Sequence, residues 1–270
     1  MLIINGTCRQ NCMDNSQPKV SIITAVYDSE KTVAQTISSI KSQTYENIEH
    51  IIIEGESIDN SLNIIRGFED PKLKIFSEAD LGLYHALNKG ITLSSGEIVG
   101  FVHSDDFLCD NDAIKKIAEA FSSEETEVVY SDIDYVSRSD HDFIIRHWSA
   151  GKFIKSNLKK GWMPPHPTLY LRRSSYEKYG VYDTGYKVGA DYDLILRIFS
   201  NLEGKAVYIP ETFYKMRYGG ISSTHIFRKM YDDFRAMRAN KTGNIITLLR
   251  KNLSKLNQFR FKRTHIGKAK

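Results

Sequence analysis

The chain has 270 residues, 41% of them hydrophobic, with 37 Lys and Arg against 33 Asp and Glu for a formal net charge of +4. That length can bury one large core with an appendage, while three cysteines (Cys8, Cys12, Cys109) exclude a disulfide framework and point to a reducing, cytoplasmic setting. No apolar run reaches the about 20 residues that cross a bilayer, and Leu2-Ile3-Ile4 is too short for a secretory signal.

Residues 1–17 are polar and aperiodic and read as a flexible N-terminal extension, so Pro18 opens the folded part. Val20 to Val26 is an apolar run that predicts a first strand, ending on Tyr27-Asp28-Ser29. Ser29 then suits the N-cap of a helix carrying Val33, Ile37 and Ile40. Glu49 to Ile53 predicts a second strand finishing on Glu54-Gly55-Glu56-Ser57, and Asp59 begins a helix with Leu62, Ile65 and Phe68. Leu73 to Phe76 is a third strand leading to Ser77-Glu78-Ala79-Asp80, followed by a helix with Leu83, Leu87 and Ile91. Ile98 to Val102 is a fourth, and it runs into His103-Ser104-Asp105-Asp106.

Strands alternating with helices imply a mostly parallel sheet covered on both faces, and such sheets bind ligands beyond the carboxyl ends of their strands. Asp28, Glu54, Asp80 and the Asp105-Asp106 pair all fall at such ends. Two adjacent acids repel each other unless they share a cation, so Asp105 and Asp106 read as a divalent-metal site facing a phosphate-bearing ligand; a turn or helix cap is the other reading of the pair.

Past this point the pattern changes. Ile114 to Phe121 is a helix, and Val128 to Tyr135 with Phe143 to Trp148 predicts two strands in a mixed or antiparallel extension. Lys159 to Thr168, with Trp162, three prolines and His166, reads as a loop near the site, where Trp162 could stack on a sugar or fill a core. Ala190-Asp191-Tyr192-Asp193 starts a helix with Leu194, Ile195 and Ile198, where the dipole favours an acid whatever its role. Lys205 to Ile209 is a short strand, and Gly219-Gly220 a turn, with Ser222 beside it able to close over a diphosphate. From Arg228 to Lys270 there are 13 Lys or Arg against two Asp. Leu248, Leu249, Leu253, Leu256 and Phe259 recur there among cations, which fits either an amphipathic helix on an anionic membrane or a helix packed on the domain. Nucleic-acid binding is not expected, because aromatic and basic residues do not interleave elsewhere.

The segments PKVSIITAVYDSE (18–30), HIIIEGESIDNS (50–61), SEADLGLYHALNKGI (77–91), GEIVGFVHSDD (96–106) and GADYDLILR (189–197) together resemble glycosyltransferase family 2 over roughly residues 18–225. That resemblance implies a GT-A fold: an α/β, Rossmann-like, mostly parallel central sheet with helices on both faces, here with a basic, mainly helical C-terminal region at 226–270. It implies a nucleotide-sugar half at about 18–110 and an acceptor half at about 111–225. Position by position, Ala25, Val26 and Tyr27 would line the base pocket and Glu54 would bond the base. Asp80, Lys89 and Ser104 would approach the nucleotide-sugar, Asp105 and Asp106 would hold Mn2+ or Mg2+ on the diphosphate, and Asp191 would be the general base. His166, Trp162 and Ser222 are further candidates for acceptor or phosphate contact. The sequence departs from the family at Glu54, one methylene longer than the usual Asp, at Glu56, where Gly is commoner, and at His85 and His103.

The implied activity is metal-dependent, inverting transfer from a nucleoside diphosphate sugar, UDP-linked, to a saccharide or lipid-linked acceptor in bacterial surface polysaccharide synthesis. The setting is cytoplasmic or peripheral on the inner face of the membrane. A nucleotidyltransferase acting on sugar phosphates and a non-catalytic nucleotide-sugar-binding protein are the competing readings.

Overall fold

The computed structural model describes residues 17–219, 226–254 and 258–263. Its first half is four parallel strands, β1 (Val20–Val26), β2 (Ile48–Glu54), β3 (Leu73–Ser77) and β4 (Ile98–Phe101), in the order β3-β2-β1-β4. Helices α1 (Val33–Lys41), α2 (Ser61–Arg66) and α3 (Leu83–Leu93) connect them. Side chains of a strand alternate between faces. Ile22 and Val26 of β1 therefore meet the residues of α1 and α2, whereas Ile23 meets Leu87 and Ile91 of α3 on the opposite face. α3 lies so close to β1 that a Cβ at Gly90 would come within 2.4 Å of the Ile23 side chain.

β2 carries polar residues inward and satisfies each. Ser21 donates to Glu49 Oε1 at 2.5 Å, and Lys74 Nζ lies 2.7 Å from Oε2. The hydroxyl hydrogen of Thr24 goes to Val102 O, so His50 Nε2 donates to Thr24 Oγ1 at 2.9 Å. Burial pushes His50 down to about 4, which leaves it neutral as this bond requires.

The second half extends the same sheet with mixed polarity. β8 (Tyr170–Arg172) pairs antiparallel with β4, and β6 (Thr126–Val136) joins β8, β7 (Phe143–Trp148) and the long β9 (Lys205–Arg217). Between β4 and β6 lie the three-residue strand β5 (Asp106–Leu108), paired with β9, and helix α4 (Ala113–Ala120). A Cβ at Gly100 would sit 2.1 Å from the Tyr170 ring, so β4 and β8 can pair as they do only around a glycine. Helices α5 (Arg173–Tyr179) and α6 (Ala190–Asn201) follow β8.

Several expectations change. α1 begins at Val33, and the Ser29 hydroxyl bonds Tyr27 O and Ser104 Oγ instead of capping it. The strand expected at Lys205 to Ile209 continues through Pro210 to Arg217 because β5 and β6 give its later residues partners. The region after 225 packs on the sheet domain. α7 (Ile226–Ala239) and α8 (Ile245–Ser254) put Ala236, Met237 and Leu248 into the main core, and β10 (Phe259–Arg263) adds a strand antiparallel to β7. Of the residues expected on one tail helix, Leu248 is buried, Leu249 and Leu253 are exposed, Phe259 lies in β10 and Leu256 is outside the described residues. Cys109 is a free thiol, and Cys8 and Cys12 lie outside the described residues.

Candidate active site

The four parallel strands deliver their carboxyl ends to one edge, and the loops there are tied together. Gly55 N–H donates to Val26 O and Glu78 N–H to Glu54 O, both bridging neighbouring strand ends. Asp28 and Glu56 hold φ of 46° and 58°, the left-handed region, which explains why glycine suits position 56. Tyr27 is 61% exposed on this edge, and a Cβ at Gly55 would lie 3.4 Å from its ring and 3.8 Å from Asp80 Oδ2. Asp80 Oδ1 meets Lys89 Nζ at 2.8 Å and His85 Nδ1 at 3.3 Å. Asp80 Oδ2 is buried with no hydrogen-bond partner among the described residues, an acceptor available beside Tyr27. Burial opposes the charge on Lys89, yet Asp80 and Glu78 hold its pKa above the usual value.

Three of the expected pocket residues are buried or partly buried at this edge. Val26 is core, packed with Val33, Ile37, Ile52 and Ile65, and contributes only its backbone here. Ala25 is partly buried against the main core. Glu54 is fully buried, with Ser57 N–H on Oε1 at 2.6 Å and Ser77 Oγ–H on Oε2 at 2.5 Å. These two bonds tie the Glu54 carboxylate to the loop at 57 and to the end of β3.

Asp105 and Asp106 diverge although adjacent. Asp106 opens β5 with no exposed surface; Oδ1 accepts the Arg217 N–H at 3.2 Å, and Oδ2 has no partner among the described residues. Burial, then the neighbouring Asp105, push its pKa well above the carboxylate range despite Arg217 and Arg138. Asp105 is 33% exposed, with Arg138 Nη2 3.6 Å from Oδ2. An ion can therefore reach Asp105, whereas Asp106, held protonated behind it without a metal, ties β5 to β9 through the Arg217 N–H. Of the two expected metal ligands, Asp105 is the accessible carboxylate and Asp106 the buried one. This donor set fits a hard divalent ion: no group of three or more acids, His or Cys able to hold a metal occurs among the described residues, so phosphate and water would complete the shell. Ser104 Oγ lies 2.9 Å from Ser29 Oγ, linking this loop to the end of β1.

Asp191 sits in the first turn of α6, 13% exposed. Tyr84 O–H donates to Oδ1 at 3.4 Å, and His166 Nδ1 faces Oδ2 at 3.5 Å. The His166 ring centroid is 5.7 Å from that of His103, two residues before Asp105. Burial lowers the pKa of His103, and Asp105 and Asp191 both pull it back up. The two acids therefore act on one imidazole from different parts of the chain. For Asp191, burial works against ionisation, but His166, Lys229, Lys251 and the Tyr192 N–H hold its pKa below the usual range. Burial pushes His166 down to about 4 against the pull of Asp191, so near neutral pH an uncharged imidazole faces an ionised carboxylate.

Lys229 and Lys251 were missed in the sequence because they belong to the basic tail. Lys251 is buried, with Asp233 Oδ2 at 2.8 Å and the Tyr192 ring centroid at 3.1 Å from Nζ, while Lys229 Nζ lies 3.3 Å from Asp233 Oδ1. The signal was the isolated Asp232-Asp233 pair amid cations. Tyr84, stacked on Tyr182 at 5.6 Å, was also missed. Trp162 is no exposed platform: its indole N–H donates to Ala150 O at 2.8 Å and its ring packs on Phe153, Phe199 and Tyr130. Ser222 lies outside the described residues.

The sequence profile described as "Glycosyl transferase family 2" matches residues 21–186. The chain belongs to glycosyltransferase family 2. It is 31% identical to an uncharacterized glycosyltransferase of Mycobacterium tuberculosis over 190 residues, 67% of this chain and 69% of that protein. It is 29% identical over 213 residues to the PGL/p-HBAD biosynthesis glycosyltransferase of Mycobacterium bovis, 77% of this chain and 80% of the relative. Among solved structures, S. aureus TarS 1-349 in complex with UDP-GlcNAc superposes with a TM-score of 0.65 at 19% identity, over 82% of this chain and 65% of that one. This chain thus spans slightly less than two thirds of that TarS chain. The Pyrobaculum calidifontis mannosyltransferase PcManGT in complex with GDP-Man and Mn2+ superposes at 0.63 and 18% identity, over 90% of this chain and 70% of that one. The α/β GT-A fold is shared. The nucleotidyltransferase and non-catalytic readings give way to a glycosyltransferase enzyme.

Proposed function

We propose that this family 2 glycosyltransferase is metal-dependent and inverting, moving a sugar from a UDP-linked donor to a hydroxyl of a saccharide or lipid-linked acceptor in bacterial surface polysaccharide synthesis. The observation that carries this reading is the line Asp105, His103, His166, Asp191, which links an accessible metal-type carboxylate to an ionised, shielded one through two imidazoles. On the donor side, Tyr27 offers a ring, Asp80 Oδ2 an unclaimed acceptor and Lys89 a cation near the nucleotide-sugar. A divalent ion held by Asp105 would supply Lewis-acid stabilisation to the diphosphate as it leaves.

On the acceptor side Asp191 takes the proton of the attacking hydroxyl. The acceptor oxygen bonds to the anomeric carbon from the face opposite the diphosphate, whose bond breaks with its electron pair, and the configuration inverts. His166, facing Oδ2 at 3.5 Å, orients the carboxylate. A low base pKa keeps Asp191 ready over the whole neutral range. The relative named for PGL/p-HBAD biosynthesis supports a cell-surface glycolipid product, and the UDP-GlcNAc bound by TarS supports the donor class. The enzyme is read as cytoplasmic, working at the inner face of the membrane when its acceptor is lipid-linked.

A melting screen of UDP- and GDP-sugars with and without Mn2+ tests the donor assignment, because a ligand that binds only the folded state raises the melting temperature. A UDP-sugar shift that requires the metal is expected. Equal shifts without metal, or a shift with GDP-sugars alone, would contradict it.

A further inference from the structure

α8 is built inside out. Its ten residues bury Thr247, Leu248 and Lys251 against the protein, yet leave Ile245, Ile246, Leu249 and Leu253 more than half exposed, Leu253 at 63%. On a helix of 100° per residue, Ile246 and Leu253 fall opposite the midpoint of the buried set, so the apolar stripe points directly away from the core. Burying a lysine while exposing four aliphatic side chains is the reverse of an ordinary surface helix. The Lys251 ammonium has its reason in Asp233 and the Tyr192 ring; the stripe has none among the described residues.

The surroundings of the stripe are cationic. Thr247 Oγ1 donates to Lys159 O at 3.1 Å, packing α8 on the 3-10 turn Lys155–Lys160, and Lys155, Lys159, Lys160 and Arg250 are all exposed. Ile154, 55% exposed, precedes that turn. We infer that α8 and this lysine-rich turn form a docking face for an anionic lipid bilayer, with the aliphatic stripe entering the headgroup boundary and the cations meeting lipid phosphates. Apolar area and anionic attraction together set such binding. A second copy of the chain is the poorer occupant, because a two-fold interface would bring these lysines against themselves. No helix among the described residues is long and apolar enough to cross a membrane, so the face would lie on the surface.

Flotation of the full chain with vesicles of phosphatidylcholine, alone or mixed with phosphatidylglycerol, tests this. Binding to the mixed vesicles only, weakened by salt, is expected. The pair Leu249→Glu with Leu253→Glu should reduce it at least about 10-fold, as should Lys159→Glu with Lys160→Glu. A milder pair, Leu249→Ser with Leu253→Ser, covers any folding loss. All variants should keep the metal-dependent melting shift with a UDP-sugar, which separates failure of this face from failure of the reaction assignment. No binding to anionic vesicles at low salt, equal binding to neutral ones, unchanged binding in the leucine variants, or light scattering showing a dimer that those variants dissociate would each overturn the proposal.

Discussion

Asp106 and Asp191 are both largely shut off from solvent, yet their protons are held in opposite ways. Burial penalises the charge of each; Asp105 adds a like charge beside Asp106, whereas the ammonium groups of Lys229 and Lys251 act on Asp191. The neighbours, not the depth, decide the sign. α6 reinforces the difference by presenting the positive end of its dipole to Asp191. That contrast is what the proposed division between a cation-binding end and a proton-accepting end rests on.

The comparison breaks first at Asp191→Asn, which removes the base without changing shape. Its kcat should fall by about 10²- to 10⁴-fold, read in a transfer assay with the donor found by the melting screen. Next, the same substitution at the two positions should move metal-free stability in opposite directions. A folded pKa raised above the unfolded one means that ionised Asp106 costs stability once the pH exceeds the unfolded value, so Asp106→Asn should melt no lower than wild type at neutral pH. A depressed pKa means that Asp191 contributes stability above the unfolded value, so Asp191→Asn should melt lower. Scanning calorimetry of both proteins without metal checks this.

A smaller effect is expected at Lys229→Met, which deletes one cation that holds Asp191 down. The pKa of Asp191 should rise, so the acid limb of the kcat/KM profile should move to higher pH while the neutral rate falls severalfold at most. An unmoved limb would sever Lys229 from the base. The smallest effect concerns stability alone, far from the cleft. Burial opposes the charge of Glu49, but Lys74, Ser21 and Ser95 hold its pKa well below the usual range, so its contribution is present above the unfolded value and lost as the pH falls. Glu49→Gln should cost about 1–3 kcal/mol at neutral pH by urea melts, and that deficit should shrink in acid.

How much of this was legible depended on the range of the interaction. β1, β2, β4 and the start of α6 declare themselves in apolar runs and spacing within a dozen residues; Asp105 follows β4, and Asp191 lies in the first turn of α6. β5 is three residues long and exists because β9 pairs with it, and the FRFKR of β10 becomes a strand only beside β7. The position of Glu54 at a strand end was legible, but its two serine partners, Ser57 and Ser77, were not. Lys229 and Lys251 reach Asp191 from far along the chain, a proximity that no local pattern encodes. Trp162 could be a platform or core by composition, and Ala150 and Phe199 decided for core.

The central claim is that Asp105 serves the diphosphate and Asp191 the acceptor. Calorimetric titration of UDP with and without Mn2+ into wild type, Asp105→Asn and Asp191→Asn tests it directly. Metal-dependent binding should survive in Asp191→Asn and vanish in Asp105→Asn. Loss of UDP binding in Asp191→Asn, or its persistence with full metal dependence in Asp105→Asn, would contradict the division of labour.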